Sequence, residues 1–311
     1  MELTMDDGLA WLNGELTDFG TAKVAVEDRG FEFGDGIYEM VRVYSGAPFA
    51  LAEHLYRLAR SATGIELQLP MSTDEFNALA YDLLHRSGLD DAEIYLQVTR
   101  GVARRSHQFP ENVRPTVLMG IRPPTGVQPK LRETGCSVIT HSDERWARCD
   151  LKTICLLPNV LAKEHACRVG AFEAILVRDS VISEGTASNV FIRIGGELIT
   201  PIADNRILAG ITRAMTIELA RKCYYEVVER DIKMEELFEA EEVLLTSTTI
   251  ELLPVIKIND HIVANVRPGA VVERLQSEYR FRAEGKPSSK REKVKPRISD
   301  AVVESGEVCS I

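Results

Sequence analysis

In the stretch TRGVARRSHQFP, Arg105 and His107 stand two positions apart. In an extended segment such residues point the same way, so both can converge on one carboxylate while Arg104 turns aside. A solvated loop is the other reading of the same residues. Lys152 lies in an apolar run, CDLKTICLLP. A lysine among apolar groups loses affinity for its proton and becomes a nucleophile toward carbonyls, although its surroundings by themselves do not single Lys152 out from the other ten lysines. Glu184, in VISEGTASNVF, falls in a turn of small residues between apolar strands. Its carboxylate either caps that turn or faces a cationic nitrogen in a cleft. Gly210 precedes a helix that opens with Ile211 and Thr212. The first N–H groups of a helix lack internal partners and carry the positive end of its dipole, which suits a phosphate as well as it suits an ordinary helix start. Thr246, Ser247, Thr248 and Thr249 end an apolar strand with hydroxyls that can cap a turn or hold a phosphate ester. Arg57 can add charge to such a group through its two-pronged guanidinium, but it lies off the apolar stripe of its helix and reads by itself as a surface residue.

These residues need a soluble scaffold, and the composition provides one. Forty-seven acidic against 37 basic residues give a net charge of −10, which argues against a duplex nucleic-acid binder. The six cysteines and six histidines show no pair at metal-ligand spacing, so no metal is expected and the thiols read as reduced. The start, MELTMDDGLAWL, carries acids where a secretory signal needs lysines, and no run approaches the ~20 apolar residues of a membrane span. The expected location is the cytoplasm.

The elements follow from periodicity. Asn13-Gly14 between short apolar segments predicts a hairpin. GIYEMVRVYSGAPFAL reads as strand, turn and strand, with Tyr38, Met40 and Arg42 on one face. Leu55, Leu58, Ala59 and Ala62 define a helix, and a second covers 73–87. The stretch RPPTGVQPK, with three prolines and nothing periodic, is the best linker. Beyond it, strands alternate with helices near 158–169, 211–222 and 268–282. The expectation is α/β (α+β): an N-terminal domain over 1–121, a linker over 122–131, a C-terminal domain over 132–284 and a basic, disordered tail over 285–311, with a ligand in the cleft between the domains.

Taken in order, EDRGFEFGDGIYEMVRVYSG, EHLYRLARSA, QVTRGVARRSHQFP, LKTICLLPNVLAKEHACRVGAFEAILVRD, ISEGTASNVF, ILAGITR and LTSTTIELLPV resemble the fold-type IV pyridoxal-phosphate enzymes. Within them the chain is most similar to the D-amino-acid transaminases, from about Gly8 to about Glu284. The resemblance implies pyridoxal 5'-phosphate as cofactor and Lys152 as its Schiff-base lysine. It implies Glu184 at the pyridine nitrogen, with Arg57, Leu208, Ile211, Thr212 and Thr248 also binding the cofactor. Tyr38, Arg105 and His107 match the residues that bind the substrate α-carboxylate. The implied activity is ping-pong transfer of an amino group from a D-amino acid, of the D-alanine or D-glutamate type, to a 2-oxo acid. A branched-chain L-amino-acid transaminase, an (R)-amine transaminase and an aminodeoxychorismate lyase are the alternatives on the same fold. The resemblance also implies a homodimer with residues of both chains near each cleft. Ala187 departs from the serine that relatives carry there. Arg42, on the strand face of Tyr38, is expected to line the pocket and favour acidic substrates.

Overall fold

The computed structural model describes residues 8–127, 129–263 and 267–285. Apart from Gly285, the segment expected as a tail lies outside the described residues. The chain builds two sheets in sequence order. The first contains β1 (Leu9–Leu12), β2 (Glu15–Asp18), β3 (Gly36–Tyr44), β4 (Ala47–Pro48), β5 (Ala92–Thr99) and β6 (Thr116–Arg122). Its order is β2-β1-β6-β5-β3-β4, antiparallel throughout. Asn13 and Gly14 both take positive φ (51° and 108°), as the two-residue β1–β2 turn demands.

Three helices accompany this sheet: α1 (Arg29–Phe33), α2 (Leu51–Gly64) and α3 (Thr73–Ser87). Ser72 and Glu75 close a reciprocal cap on α3. Leu55, Leu58 and Ala62 of α2 and Phe76, Ala80 and Leu83 of α3 bury against Ile37, Val41, Ile94, Val98 and Met119 of the sheet. Strand alternation therefore turns Tyr38 and Met40 to the opposite face, toward the second half of the chain.

That half begins with a short helix, α4 (Pro129–Thr134), where the sequence suggested only a linker. It continues through β7 (Cys136–Ser142), α5 (Leu157–Arg168), β8 (Glu173–Arg178), β9 (Val181–Gly185), β10 (Asn189–Ile194) and β11 (Glu197–Thr200). Then come α6 (Ile211–Lys222), β12 (Glu226–Glu229), β13 (Ile232–Lys233), α7 (Met234–Glu239), β14 (Glu242–Ser247), β15 (Glu251–Ile258), β16 (His261–Ile262) and α8 (Ala270–Glu284). The sheet runs β12-β11-β10-β14-β15-β7-β8-β9-β13, with β16 beside β15. It is mixed, since β15–β7, β7–β8 and β11–β12 are parallel. One side buries Val138, Ile175, Val190 and Leu253; the other packs Phe191, Leu244 and Leu252 against α6 and α8. No helix of the described residues is long and apolar enough to cross a membrane.

Candidate active site

A cavity of about 290 Å³ brings together Tyr38 and Arg57 from the first half with Lys152, Glu184, Leu208, Ile211, Thr212 and Thr248 from the second. Arg105 and His107 are absent from its lining.

Lys152 is placed by its own backbone. Past β7 the chain runs along the free end of β3: Tyr38 N–H donates to the Lys152 carbonyl (3.0 Å) and Ile154 N–H to the Gly36 carbonyl (3.1 Å). The Lys152 N–H donates to Ser61 Oγ on α2 (3.1 Å). This extra pairing lays the lysine across the sheet edge, with Nζ 4.3 Å from the Tyr38 ring centre. The amine is half-buried above an aromatic face that attracts cations.

Glu184 is the penultimate residue of β9, not part of a turn as its small neighbours suggested. A carboxylate so buried is costly unless it is paired, and three groups surround this one. Arg145 Nη1 donates to Oε1 (2.5 Å), Asn189 Nδ2 to Oε2 (3.0 Å), and the Leu208 N–H to both oxygens (3.1 Å each). Burial still dominates and pushes the Glu184 carboxyl up to about 7, against the pull of Arg145. Arg145 is itself held by Asp143, through Nε to Oδ1 (2.9 Å) and Nη2 to Oδ2 (3.0 Å), and by the Arg206 carbonyl (3.1 Å). Sequence reading did not find Arg145 or Asn189. Their neighbourhood in the chain looks like surface, and only the fold turns them inward.

From Leu208 the chain runs directly into α6. Gly210 occupies the N-cap with no side chain covering the first amides. Any Cβ there would lie 2.0 Å from Asn189 Oδ1, so the close approach requires glycine. Arg57 is buried, not exposed as a lone helix arginine would be. Its Nε and Nη2 fork onto Glu39 (2.8 Å each), and Nη1 reaches the Ala209 carbonyl (3.1 Å). His54 Nδ1 meets the same carboxylate at 2.7 Å. Burial opposes ionisation of Glu39, but Arg57 and His54 outweigh it and hold the carboxyl at about 2. Three of the five guanidinium N–H groups are thus engaged, which leaves two for a ligand beside the helix start.

The donors fit pyridoxal phosphate. An arginine, a helix N-terminus and the Thr246–Thr249 hydroxyls match a phosphate ester, and Lys152 matches its aldehyde. Thr246 Oγ1 is buried in the cavity wall without a hydrogen-bond partner, as expected of a wall that awaits a ligand.

One expectation is corrected. Arg42 does not line the cavity. Its Nη1 donates to the Val43 and Ala92 carbonyls, Nη2 lies 3.5 Å from Asp91 Oδ1, and its guanidinium stacks 4.7 Å from the Tyr44 ring centre. It shares a face with Tyr38, but four residues along a strand carry it about 13 Å away. Arg105 and His107 do converge, as their spacing predicts, but on Phe33 rather than on the cavity. The Arg105 guanidinium sits 4.4 Å from that ring's centre and 3.5 Å from Glu32, and His107 meets the ring edge-on at 5.8 Å. Both are exposed. Their loop is nonetheless fixed: Arg29 Nη1 donates to the Ser106 carbonyl (2.6 Å), and Arg100 lies 3.7 Å from the Phe109 ring centre. Asp35 binds both Arg29 and Arg100 at 2.8 Å.

Comparison with known proteins shows the family. The model of the family described as amino-transferase class IV matches residues 36–258. The D-alanine aminotransferase of Bacillus licheniformis is 38% identical over 265 residues, covering 85% of this chain and 93% of that one. That of Listeria monocytogenes serotype 4b is 40% identical over 273 residues, covering 86% and 93%. Among solved structures, the Escherichia coli branched-chain amino acid aminotransferase superimposes with a TM-score of 0.86 at 28% identity, over 92% of this chain and 97% of that one. The branched-chain amino acid aminotransferase of Thermoproteus uzoniensis, solved with norvaline, gives 0.80 at 26% identity, over 88% and 93%. By sequence match and by shape, the chain belongs to the class IV aminotransferases, the fold-type IV enzymes.

Proposed function

We propose that the protein is a pyridoxal-phosphate-dependent transaminase that takes the amino group from a D-amino acid, such as D-alanine or D-glutamate, and gives it to a 2-oxo acid. One observation carries the reading: a single cavity joins Lys152, Glu184, and Arg57 at the start of α6. The identity to D-alanine aminotransferases, and the Arg105-x-His107 pair, favour D-amino acids over the branched-chain L-substrates of the structural neighbours.

Arg57, the amides of Ile211 and Thr212, and the Thr248 hydroxyl hold the phosphate, while Leu208 lines the cavity and fixes Glu184 through its amide. When bound, pyridoxal phosphate supplies a carbonyl carbon for the amine and a ring that draws electrons from the substrate Cα. Glu184 holds a proton at the ring nitrogen, which strengthens that withdrawal. Lys152 Nζ takes the Cα proton and later returns a proton, and the Tyr38 ring beneath it limits the directions from which it can do so. Loss of the oxo acid and entry of a second one give a ping-pong cycle.

Tyr38 reaches the substrate carboxylate from within this chain, whereas Arg105 and His107 reach the cleft of a second copy. Their exposure outside their own cavity supports a homodimer with shared sites. So do the uncovered apolar side chains of α1 and its neighbouring loop (Phe31, Val102, Phe109) and of α5 (Leu157, Val160, Leu161). In this reading the domains are 1–121 and 132–284, joined by 122–131, and the enzyme works in the cytoplasm.

The test is a half-reaction. Holoenzyme is mixed separately with D-alanine and L-leucine, and the cofactor absorbance is followed. D-Alanine is expected to bleach the band; bleaching by L-leucine alone would give the branched-chain reading in its place.

A further inference from the structure

The loop after β5 carries Arg105 and His107 without a backbone ladder to hold it. Ala103 N–H donates to the Glu27 carbonyl (3.2 Å), but from Arg104 to Pro110 no backbone–backbone hydrogen bond forms among the described residues. A guanidinium takes over instead. Arg29 Nη1 reaches the carbonyls of Ser106 (2.6 Å) and Gln108 (3.4 Å), which flank His107. Arg29 is only 4% exposed, and its Nε donates to Asp35 Oδ2 at 2.8 Å. The same oxygen accepts from Arg100 Nε at 2.8 Å. Arg100 in turn donates to the Glu66 and Ile65 carbonyls just past α2 (2.8 and 2.7 Å), and its guanidinium lies 3.7 Å from the ring centre of Phe109 in the loop. The Phe33 ring lies against Arg29 (4.8 Å) and Arg105 (4.4 Å) alike.

Rigidity makes this arrangement a clamp. A guanidinium is planar, so fixing Nε on a carboxylate also fixes the direction in which Nη1 meets the loop. Burying that cation is costly without a counter-charge, and Asp35 supplies it. The Asp35 backbone adds to the tie: the Arg100 N–H donates to the Asp35 carbonyl (3.1 Å), and the Asp35 N–H to the Arg29 carbonyl (3.3 Å). Asp35 stands between α1 and β3, three residues before Tyr38. One side chain thus joins the root of the Tyr38 strand to the loop of Arg105 and His107.

We propose that Asp35 is a positioning residue for substrate binding in the cleft of a second copy: through Arg29 and Arg100 it sets the loop that presents Arg105 and His107 to the substrate carboxylate there. The proposal rests on the reading that these two residues bind that carboxylate across a homodimer. Asp35 itself touches neither substrate nor cofactor, and it acts on a cleft to which its own Lys152 does not belong.

The experiment follows the half-reaction of the holoenzyme with D-alanine, which separates the concentration for half-saturation from the limiting rate. Asp35→Asn keeps the side-chain shape and removes its charge. It is expected to raise half-saturation about tenfold, the scale of one displaced hydrogen bond to a charged group, and to change the limiting rate by less than about twofold. An unchanged half-saturation overturns the proposal. Mixed dimers then show which cleft is affected. When Asp35→Asn is paired with Lys152→Ala, the working lysine belongs to the first chain and the loop beside it to the second, so half-saturation should return to the parent value. When the parent is paired with a chain carrying both substitutions, it should stay raised. Any other pattern in verified mixed dimers means that Asp35 acts within its own cleft or on the fold at large, and overturns the proposal. If Arg105→Ala takes D-alanine as the parent does, the carboxylate assignment itself fails and the proposal falls with it. If Arg105→Ala weakens D-alanine and Asp35→Asn does not, only the positioning role fails. Arg29→Lys gives a separate reading should Asp35→Asn not fold. A lysine keeps the charge beside Asp35 but cannot bond the carboxylate and the loop through one rigid plane, so the same rise and the same rescue are expected, and parent-like half-saturation would refute the clamp.

Discussion

Replacing Arg145 with methionine tests how Glu184 is kept ionised. Burial pushes the Glu184 carboxyl up to about 7 even with Arg145 beside it, and Arg145 is the largest opposing influence. A hydrogen bond to a charged group contributes about 1.5–3 kcal/mol, which at 1.36 kcal/mol per unit corresponds to about one to two pH units. Removing the cation destabilises the carboxylate, so Glu184 keeps its proton to higher pH. A carboxyl half-ionised at pH 7 would then be ionised in only about 1–10% of molecules, and the half-reaction with D-alanine should slow roughly five- to fiftyfold at that pH. The rate should recover as pH rises toward about 9. The ring nitrogen and Glu184 titrate as a pair, so the quantity to compare is the displacement of the midpoint between parent and variant. Methionine fills a similar volume, and Asp143 retains Arg178 at 3.2 Å and the Ser183 hydroxyl at 2.8 Å, so it is not left without partners. The assay is stopped-flow absorbance from pH 6 to 9.5, with thermal unfolding as a control for folding. An unmoved midpoint in a folded variant would show that Arg145 does not govern the charge of Glu184.

Mixed dimers test the shared site: Lys152→Ala and Arg105→Ala chains, each inactive alone, should regain activity when exchanged into one dimer, because one of its two sites then has both groups. Failure of rescue in a verified mixed dimer would mean that Arg105 does not serve its partner. Arg42→Ala should leave the ratio of D-glutamate to D-alanine rates unchanged, because its guanidinium is spent on Val43, Ala92 and Asp91; a selective loss on D-glutamate would contradict this. Glu39 has its carboxyl lowered from 4.5 to about 2, so its contribution is present above pH 4.5 and is lost as pH falls toward 2. That contribution is worth about 3 kcal/mol, and denaturant titrations of Glu39→Gln should show a shallower acid-side decline than the parent.

Local rules read α6, the Asn13-Gly14 turn and α3 well, because helix starts, hairpin turns and caps are decided by a few adjacent residues. They failed where partners are distant in the chain. Arg57 looked exposed because Glu39, which makes its burial tolerable, lies 18 positions earlier on another element. Arg145 was invisible for the same reason, since Glu184 is 39 positions away. Glu184 was given a turn because small residues suggest one, yet here they admit close packing around a buried carboxylate. Arg42 shows the opposite failure: periodicity correctly gave its face but not its distance along the strand.

The pairing of the Lys152 segment with β3 has a consequence for synthesis. Free pyridoxal phosphate is an aldehyde that can condense with any accessible amine. Lys152 emerges from the ribosome after the whole first sheet, and its backbone completes an edge that this sheet leaves open. Until that edge closes, Lys152 is one ordinary amine among several. With Lys152 as the proposed coenzyme lysine, capture of the coenzyme would report that both halves of the chain have met.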